Sequence, residues 1–213
     1  MTREASQRGV FLALEGVEGA GKTTQAAWLA ERLQALGRDV LVVREPGGTA
    51  FAEEVRRLLL HVPYDLTPES ELFLFQASRA DLTARVIRPA LEAGRVVIAD
   101  RFELSTRAYQ AGGRELPADA VAAAISLATG GLVPDLYLVL DVLVETGRSR
   151  QAAEGKGADR LEREADAFHR RVADAFRTAA GANIVHVTAA GSADAVHEAI
   201  WRVLGERMPA LVR

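Results

Sequence analysis

Cysteine is absent from the 213-residue sequence, and its absence excludes a whole group of functions. Without a thiol the chain can form no disulfide, no thiolate metal site, no iron–sulfur cluster and no cysteine nucleophile. A strong charge imbalance is also lacking, because 26 basic and 29 acidic residues give a net charge of −3. A general polyanion-binding surface needs an excess of positive charge, so we expect small-molecule partners and no nucleic acid.

Long apolar runs are missing as well. No stretch approaches the roughly 18 uninterrupted apolar residues of a membrane span, so we expect no membrane partner. The start of the sequence, MTREASQRG, is polar and lacks the apolar core of a secretory signal. What is present is typical of a globular protein, with 49% hydrophobic and 26% charged residues. We therefore predict one cytoplasmic domain over residues 1–213.

Short apolar runs alternate with stretches of helical periodicity along the chain. Continuous apolar runs predict five strands that are buried on both faces, at 10–15, 40–43, 96–99, 136–140 and 184–187. Helical periodicity predicts helices at 22–36, 51–60, 70–91, 105–111, 117–129, 143–153, 165–179 and 193–207. We expect a polar turn through Pro63 and Pro68, a bend or restart near Pro89 and a break at Gly112-Gly113. The alternation predicts an α/β fold, a five-stranded parallel sheet with helices on both faces.

A phosphate-binding loop follows the first predicted strand. Residues 16–23 match the pattern GxxxxGKS/T, in which glycines let the backbone wrap a phosphate at a helix N-terminus. We expect the Lys22 amine to reach the β- and γ-phosphates of ATP and the Thr23 hydroxyl to ligate Mg²⁺. The pattern predicts a three-layer P-loop NTPase fold. Its predicted ATP-binding residues are Gly16, Val17, Glu18, Gly19, Ala20, Gly21, Lys22, Thr23 and Thr24.

Four further segments indicate which family of P-loop proteins the sequence resembles. They are Arg44-Glu45-Pro46-Gly47-Gly48-Thr49, the pair Phe75 and Arg79, Asp100-Arg101-Phe102, and Ser105-Thr106-Arg107-Ala108-Tyr109-Gln110. Together with the P-loop, and in this order and spacing, they resemble the bacterial thymidylate kinase family from about Phe11 to the C-terminal helix. The resemblance implies a homodimeric kinase that phosphorylates dTMP to dTDP with ATP and Mg²⁺, in dTTP biosynthesis.

Two charged residues at the end of the third predicted strand suit phosphate chemistry. The Asp100 carboxylate lies beside the P-loop in this fold, where it can hold Mg²⁺ directly or through water. Arg101 offers a planar fork of donors that matches a phosphate. The resemblance implies that Arg101 clamps the acceptor monophosphate and stabilises charge on the transferred group. Taken alone, the two residues are typical of a loop-initiating aspartate and a surface arginine.

The resemblance also implies a dTMP pocket. Phe75 and Arg79 stand four residues apart and share one helical face, from which Phe75 would stack on thymine and Arg79 would bond the edge of the base. In isolation the same pair would indicate a core phenylalanine and a solvated arginine. The implied substrate-binding residues are Glu18, Arg44, Pro46, Phe75, Arg79, Arg101, Ser105, Thr106, Tyr109 and Gln110.

Residues 148–163 match the lid of that family. Position 19 is glycine, where one branch of the family has a basic residue; the other branch supplies that charge from the lid. The resemblance implies that Arg150 stacks on adenine and that Asp159-Arg160 is the lid's Asp-Arg pair, although Ala152 and Glu154 stand where many relatives have arginines. Which lid residue supplies the charge therefore stays open. The predicted catalytic residues are Lys22, Arg101, Arg150 and Arg160, and the predicted metal ligands are Thr23 and Asp100.

Two other functions remain as alternatives at this point. A deoxynucleoside kinase of the same fold would need a carboxylate base beside an acceptor hydroxyl, a role open to Glu18 or Glu45. A P-loop sensor would bind a nucleotide without turnover. The arginines at 44 and 101 favour an acceptor that already carries a phosphate. The four histidines have no metal-ligand spacing and predict no further site.

Overall fold

One parallel sheet organises the computed structural model, which describes residues 8–153 and 159–213. Its strands are β1 (Phe11–Glu15), β2 (Val40–Arg44), β3 (Val96–Asp100), β4 (Leu136–Asp141) and β5 (Ile184–Thr188). They lie in the order β2-β3-β1-β4-β5, and neighbouring strands are parallel throughout. Each predicted strand is present with one boundary moved by a residue. The prediction of a five-stranded parallel α/β fold is confirmed.

Helices cover both faces of the sheet. Within the described residues they are α1 (Lys22–Ala35), α2 (Ala50–Leu60), α3 (Pro68–Leu82), α4 (Arg88–Glu92), α5 (Glu103–Thr106), α6 (Ala118–Thr129), α7 (Val144–Ala153), α8 (Asp166–Arg177) and α9 (Ala193–Arg207), with π-helical turns at Thr83–Ile87 and Arg107–Gly113. Successive residues of β1 pack into different apolar clusters, because side chains of a strand alternate between the faces of its sheet. Phe11 and Ala13 join the cluster with α2 and α8, while Leu12 and Leu14 join the one with α1 and α9.

The irregularity predicted near Pro89 is the π-helical turn Thr83–Ile87, directly before α4. Proline lacks an N–H and its ring crowds the preceding turn, so a widened turn just upstream keeps the helix continuous. The predicted polar turn at Pro68 is wrong. Pro68 is the first residue of α3, and the Thr67 hydroxyl accepts from the Ser70 amide as its N-cap.

The predicted break before α6 is present, but it covers residues 114–117 and not Gly112-Gly113. Both glycines lie inside the π-helical turn Arg107–Gly113, which extends α5. A Cβ built at Gly113 would lie 2.5 Å from a ring carbon of Phe168 on α8. Gly113 is the last residue of this turn, and the close packing of α8 leaves no room for a side chain there.

The carboxyl ends of β1, β2 and β3 meet at one edge of the sheet. Leu14 on β1 and Arg44 on β2 are both in register with Asp100 on β3. The P-loop, the segment after β2 and the segment after β3 consequently leave the sheet side by side, as expected for ligand sites in parallel α/β sheets. In the described part of the chain, no helix has the length and apolar character needed to cross a membrane.

Candidate active site

A cavity of about 440 Å³ lies at this edge of the sheet. Each predicted substrate-binding residue contributes to its wall, together with most of the P-loop and Asp100. Several other lining residues were not selected from the sequence: Arg56, Leu60, Gln151, Leu161 and Glu162. Glu45 and Asp159 also line the cavity, and the sequence analysis named them only as a possible base and as part of the lid's Asp-Arg pair. Of the predicted residues, Gly16, Val17, Ala20, Arg150 and Arg160 are not part of its lining.

The P-loop folds back on the amine of Lys22. The Lys22 Nζ donates hydrogen bonds to the carbonyl oxygens of Gly16 at 3.1 Å and Val17 at 2.7 Å. Burial, and then the charge of Arg101, lower the pKa of Lys22 to about 8. The protonated amine, at the start of α1, therefore loses its proton more readily than an exposed lysine. An anion bound in the loop would stabilise the protonated form.

The P-loop is covered from one side by α7. Gly19 has a φ of +68°, and a Cβ built on it would lie 2.1 Å from the carbonyl oxygen of Gly147. A Cβ built at Gly147 would in turn lie 2.3 Å from the carbonyl oxygen of Glu18. The two backbones are in contact, and neither position has room for a side chain.

Thr23 and Asp100 meet in the wall of the cavity. The Thr23 hydroxyl donates to the Asp100 carboxylate at 2.6 Å. Hydroxyl and carboxylate oxygens are ligands that Mg²⁺ prefers, and Mg²⁺ commonly takes only one or two from protein. No group of three or more metal-binding side chains occurs among the described residues. The pair therefore fits an ion that takes its other ligands from phosphate oxygens and water.

Arg101 is held in an unusual backbone conformation. Its φ is +72°, a region that costs a residue with a side chain about 1–2 kcal/mol. Its amide donates to the Leu14 carbonyl at 3.0 Å, and its guanidinium donates to Gly16 O at 3.2 Å and Ser105 Oγ at 3.1 Å. These contacts aim the guanidinium across the mouth of the P-loop.

Glu15 supports this arrangement and was missed by sequence reasoning. It is completely buried, and its carboxylate accepts from the Phe102 amide at 2.8 Å and the Ser105 hydroxyl at 2.6 Å. Burial raises the pKa of Glu15 above its ordinary value. The only sequence signal was an acid at the end of an otherwise apolar strand. Through Ser105, Glu15 fixes the loop that carries Arg101.

Glu18 lies inside the P-loop but is surrounded by positive charge. Arg101 lies 3.5 Å from its carboxylate, and the Tyr109 hydroxyl donates a hydrogen bond to it. Although burial acts in the opposite direction, the charges of Arg101 and Lys22 lower the pKa of Glu18. The Glu18 carboxylate is therefore ionised and paired with a cation, and this pairing offsets its electrostatic repulsion of a bound phosphate.

Arg79 forms part of the cavity wall but is almost fully buried, with 1% of its surface exposed. It makes a 2.6 Å ion pair with Glu45 and donates to the Thr106 hydroxyl at 2.8 Å. It also donates to Gln76 Oε1 and the Phe102 carbonyl. The predicted bond to the edge of a base therefore requires Arg79 to exchange one of these protein contacts.

The two predicted lid arginines lie in different surroundings. Arg150 on α7 donates to the carbonyl oxygens of Ala189 at 3.0 Å and Gly19 at 3.4 Å, and so joins the P-loop to the segment after β5. Arg160 is buried away from the cavity wall, where it donates to Glu71 at 2.6 Å and to the Leu59 carbonyl at 2.8 Å. In this conformation Arg160 is an ion-pair residue and not a cation facing the cavity. Residues 154–158 of the predicted lid, including Lys156, lie outside the described residues.

Comparison with known proteins decides the family. Residues 14–200 match the family model described as thymidylate kinase. The chain belongs to the thymidylate kinase family. The family predicted from the P-loop and the four further segments is thereby confirmed.

Individual thymidylate kinases align over most of their length. The thymidylate kinase of Synechococcus sp. (strain JA-2-3B'a(2-13)) is 47% identical over 203 residues, which cover 94% of this chain and 96% of the relative. That of Pseudomonas putida (strain GB-1) is 50% identical over 170 residues, covering 79% and 80%. The crystal structure of thymidylate kinase from Ehrlichia chaffeensis superimposes with a TM-score of 0.75 at 31% identity and covers 92% of this chain and 99% of that one. The similarity therefore covers most of the chain and is not confined to the P-loop.

Proposed function

We propose that the protein transfers the γ-phosphoryl group of ATP to the 5′-phosphate of dTMP, giving dTDP and ADP for dTTP biosynthesis. The observation that carries the proposal is that a P-loop and two arginines line one cavity from different sides. Lys22 and Thr23 form the donor side, and Arg44 and Arg101 the acceptor side. Membership of the thymidylate kinase family supports the choice of both substrates.

On the donor side, the P-loop would bind the ATP phosphates. The backbone amides of residues 16–24 and the Lys22 amine supply the positive potential there. We assign Mg²⁺ to the contacting oxygens of Thr23 and Asp100; when bound, it neutralises charge on the β- and γ-phosphates. Arg150, which joins the P-loop to the segment after β5, would border the adenine.

On the acceptor side, the pocket would hold dTMP with its phosphate towards the P-loop. Arg101 is aimed across the loop mouth, and Arg44 stands at the end of β2, where it pairs with Glu53 at 2.9 Å. Phe75, Arg79, Thr106, Tyr109 and Gln110 line the remainder and would contact base and sugar. Bidentate arginine donors suit a phosphate that must be both bound and oriented.

The geometry supports direct in-line transfer without a general base. The acceptor phosphate is already an anion, so catalysis consists of positioning and charge neutralisation. Of the two carboxylates open to a base role, Glu18 is paired with Tyr109 and Arg101, and Glu45 with Arg79. Since an arginine already pairs with each carboxylate, a deoxynucleoside kinase is the less favoured alternative.

We also propose a cytoplasmic homodimer of single-domain subunits. Phe73 on α3 is 66% exposed and Leu127 on α6 is 87% exposed, and these two helices pack against each other. Large apolar side chains in such positions are typical of an interface with another copy. The solution mass, either 22.9 kDa or twice that value, distinguishes a monomer from a dimer.

A panel of monophosphates tests the proposed reaction through coupled ADP release. We expect dTMP to be the best acceptor. Loss of the thymine methyl contact should lower kcat/KM for dUMP about tenfold. We expect dCMP and purine monophosphates to be several decades worse, because a mismatched hydrogen-bonding edge leaves buried groups unpaired. Preference for thymidine over dTMP would indicate a nucleoside kinase, and ATP binding without ADP release would indicate a sensor.

The pKa of Lys22 predicts a proton linked to ATP binding. In the free protein this pKa is about 8, and the ATP phosphates raise it again by stabilising the charged amine. At about pH 9, binding should therefore take up close to one proton, and ATP affinity should fall as the pH rises through this pKa; at pH 6.5 this amine contributes no uptake. Calorimetry in two buffers of different ionisation enthalpy measures the uptake. Lys22→Arg, whose guanidinium stays charged, should abolish it.

A further inference from the structure

A buried carboxylate beside the acceptor pocket takes no part in the chemistry proposed above. Glu71 on α3 is completely buried. It accepts hydrogen bonds from Gln110 Nε2 at 2.8 Å, Arg114 Nη2 at 2.8 Å and Arg160 Nη2 at 2.6 Å. These donors outweigh burial and lower the pKa of Glu71 below its ordinary value. At neutral pH the group is therefore an ionised carboxylate that can only accept.

An accept-only partner determines which way the amide of Gln110 points. The amide has a donor arm, Nε2, and an acceptor arm, Oε1, and exchanging them would place Oε1 against the Glu71 carboxylate. Glu71 therefore selects the orientation in which Nε2 faces it. Gln110 is buried and lines the cavity. The carbonyl arm is thus left for the pocket.

We propose that Glu71 is a positioning residue that fixes the amide of Gln110 and thereby sets the choice of acceptor base. The inference rests on the proposed function. Thymine presents an N3–H donor on its pairing edge, whereas cytosine presents an unprotonated N3 acceptor at the same place. A carbonyl oxygen held towards the base accepts a hydrogen bond from the thymine N3–H, whereas against the cytosine N3 it places two acceptors together. Glu71 acts through Gln110 and does not touch the nucleotide.

Glu71 also stabilises the fold, and the experiment must separate the two roles. The same carboxylate anchors Arg160, which follows residues 154–158, and Arg114, which also pairs with Glu164 at 2.6 Å. Loosening this cluster would lower stability whatever happens to Gln110. Such loosening does not change the preference for one base over another, so base preference is the measurement that separates the two roles.

Glu71→Gln tests the proposal through the ratio of kcat/KM for dTMP to that for dCMP. The introduced amide can donate to the Gln110 carbonyl and so admits the reversed orientation, and we expect the ratio to fall about tenfold or more. The KM for ATP should stay within about twofold. The matched control is Glu164→Gln, which removes a contact of Arg114 in the same cluster without touching Gln110. Its ratio should equal that of the wild type.

A double-mutant cycle completes the test. In the background of Gln110→Met, Glu71→Gln should leave the ratio unchanged, because the amide through which Glu71 acts is gone. An unchanged ratio in Glu71→Gln, or a further fall in the Gln110→Met background, would overturn the inference. If Glu71→Gln fails to fold, Glu71→Gln with Arg114→Met, which removes one of the two cations paired with Glu71, is compared with Arg114→Met alone. If the wild type itself fails to prefer dTMP over dCMP, the proposed function fails, and this inference fails with it.

Discussion

Lys22→Ala is expected to lower kcat by roughly three decades or more while the protein stays folded. In the proposed mechanism the amine neutralises charge on the transferred phosphoryl group. Removing such a contact costs several kcal/mol of transition-state stabilisation, about 4 kcal/mol for three decades. The protein should stay folded because burial already disfavours the charged form of the amine, as its lowered pKa of about 8 indicates, so that the amine contributes little to stability. Steady-state kinetics with saturating ATP and dTMP, together with thermal unfolding, measures both effects.

An exposed arginine provides the matched control. Arg57 on α2 pairs only with its neighbour Glu54 among the contacts that the structure gives it, at 3.2 Å, and lies on the solvent side of that helix. Arg57→Ala removes a positive charge of the chain without approaching the cavity, so kcat should stay within about twofold. A kcat for Lys22→Ala within tenfold of the wild type would remove Lys22 from the proposed mechanism.

Arg79→Ala is expected to destabilise the fold by about 3–5 kcal/mol, the cost of removing one partner of a buried ion pair. The Glu45 carboxylate would be left buried without its cation, and Thr106 would lose a donor at 2.8 Å. For a chain of this size the loss corresponds to a fall of roughly 10 °C in Tm. Chemical denaturation of the wild type and the variant measures the difference in the free energy of unfolding.

The size of this effect separates two views of Arg79. If the residue were a solvated arginine that waits for a base, its removal would cost no more than about 1 kcal/mol, like the exposed pair of Arg57. Adding Glu45→Gln to Arg79→Ala should recover part of the lost stability, because no buried charge then remains. A loss below about 1 kcal/mol in Arg79→Ala would contradict the buried network described above.

The parts of the fold that were predictable from sequence are those set by local pattern. The apolar runs of β1, β3 and β4 are buried on both faces, as predicted. The same expectation is wrong for β2 and β5, which are partly exposed because they are the edge strands, and an apolar run does not show which strand lies at an edge. The P-loop motif predicts its own turn and the helix that follows. The irregularity near Pro89 was predicted, but the π-helical turn Arg107–Gly113 was not, because Gly113 packs against Phe168, 55 residues further along the chain.

The same distinction applies to the candidate site. It was predictable that the acceptor residues line one cavity, because the carboxyl ends of parallel strands lie at one edge of the sheet. The sequence did not reveal that Arg79 is paired with Glu45, or that Arg160 is paired with Glu71. Those partners are far apart in sequence and carry no motif that links them. Whether a charged residue is buried and paired or faces a ligand depends on packing, which a single sequence does not show.

The contact between Gly19 and Gly147 limits how this enzyme can evolve. The Cβ atom of a basic side chain at position 19 would clash with the carbonyl oxygen of Gly147, so such a residue requires α7 to move away from the P-loop. Since Arg150 on α7 donates to the Gly19 carbonyl, such a movement would also break the contact that joins this helix to the P-loop. Even alanine at position 19 would lie too close to the carbonyl oxygen of Gly147. A basic residue at this position therefore requires a rearrangement of the backbone and not a substitution alone.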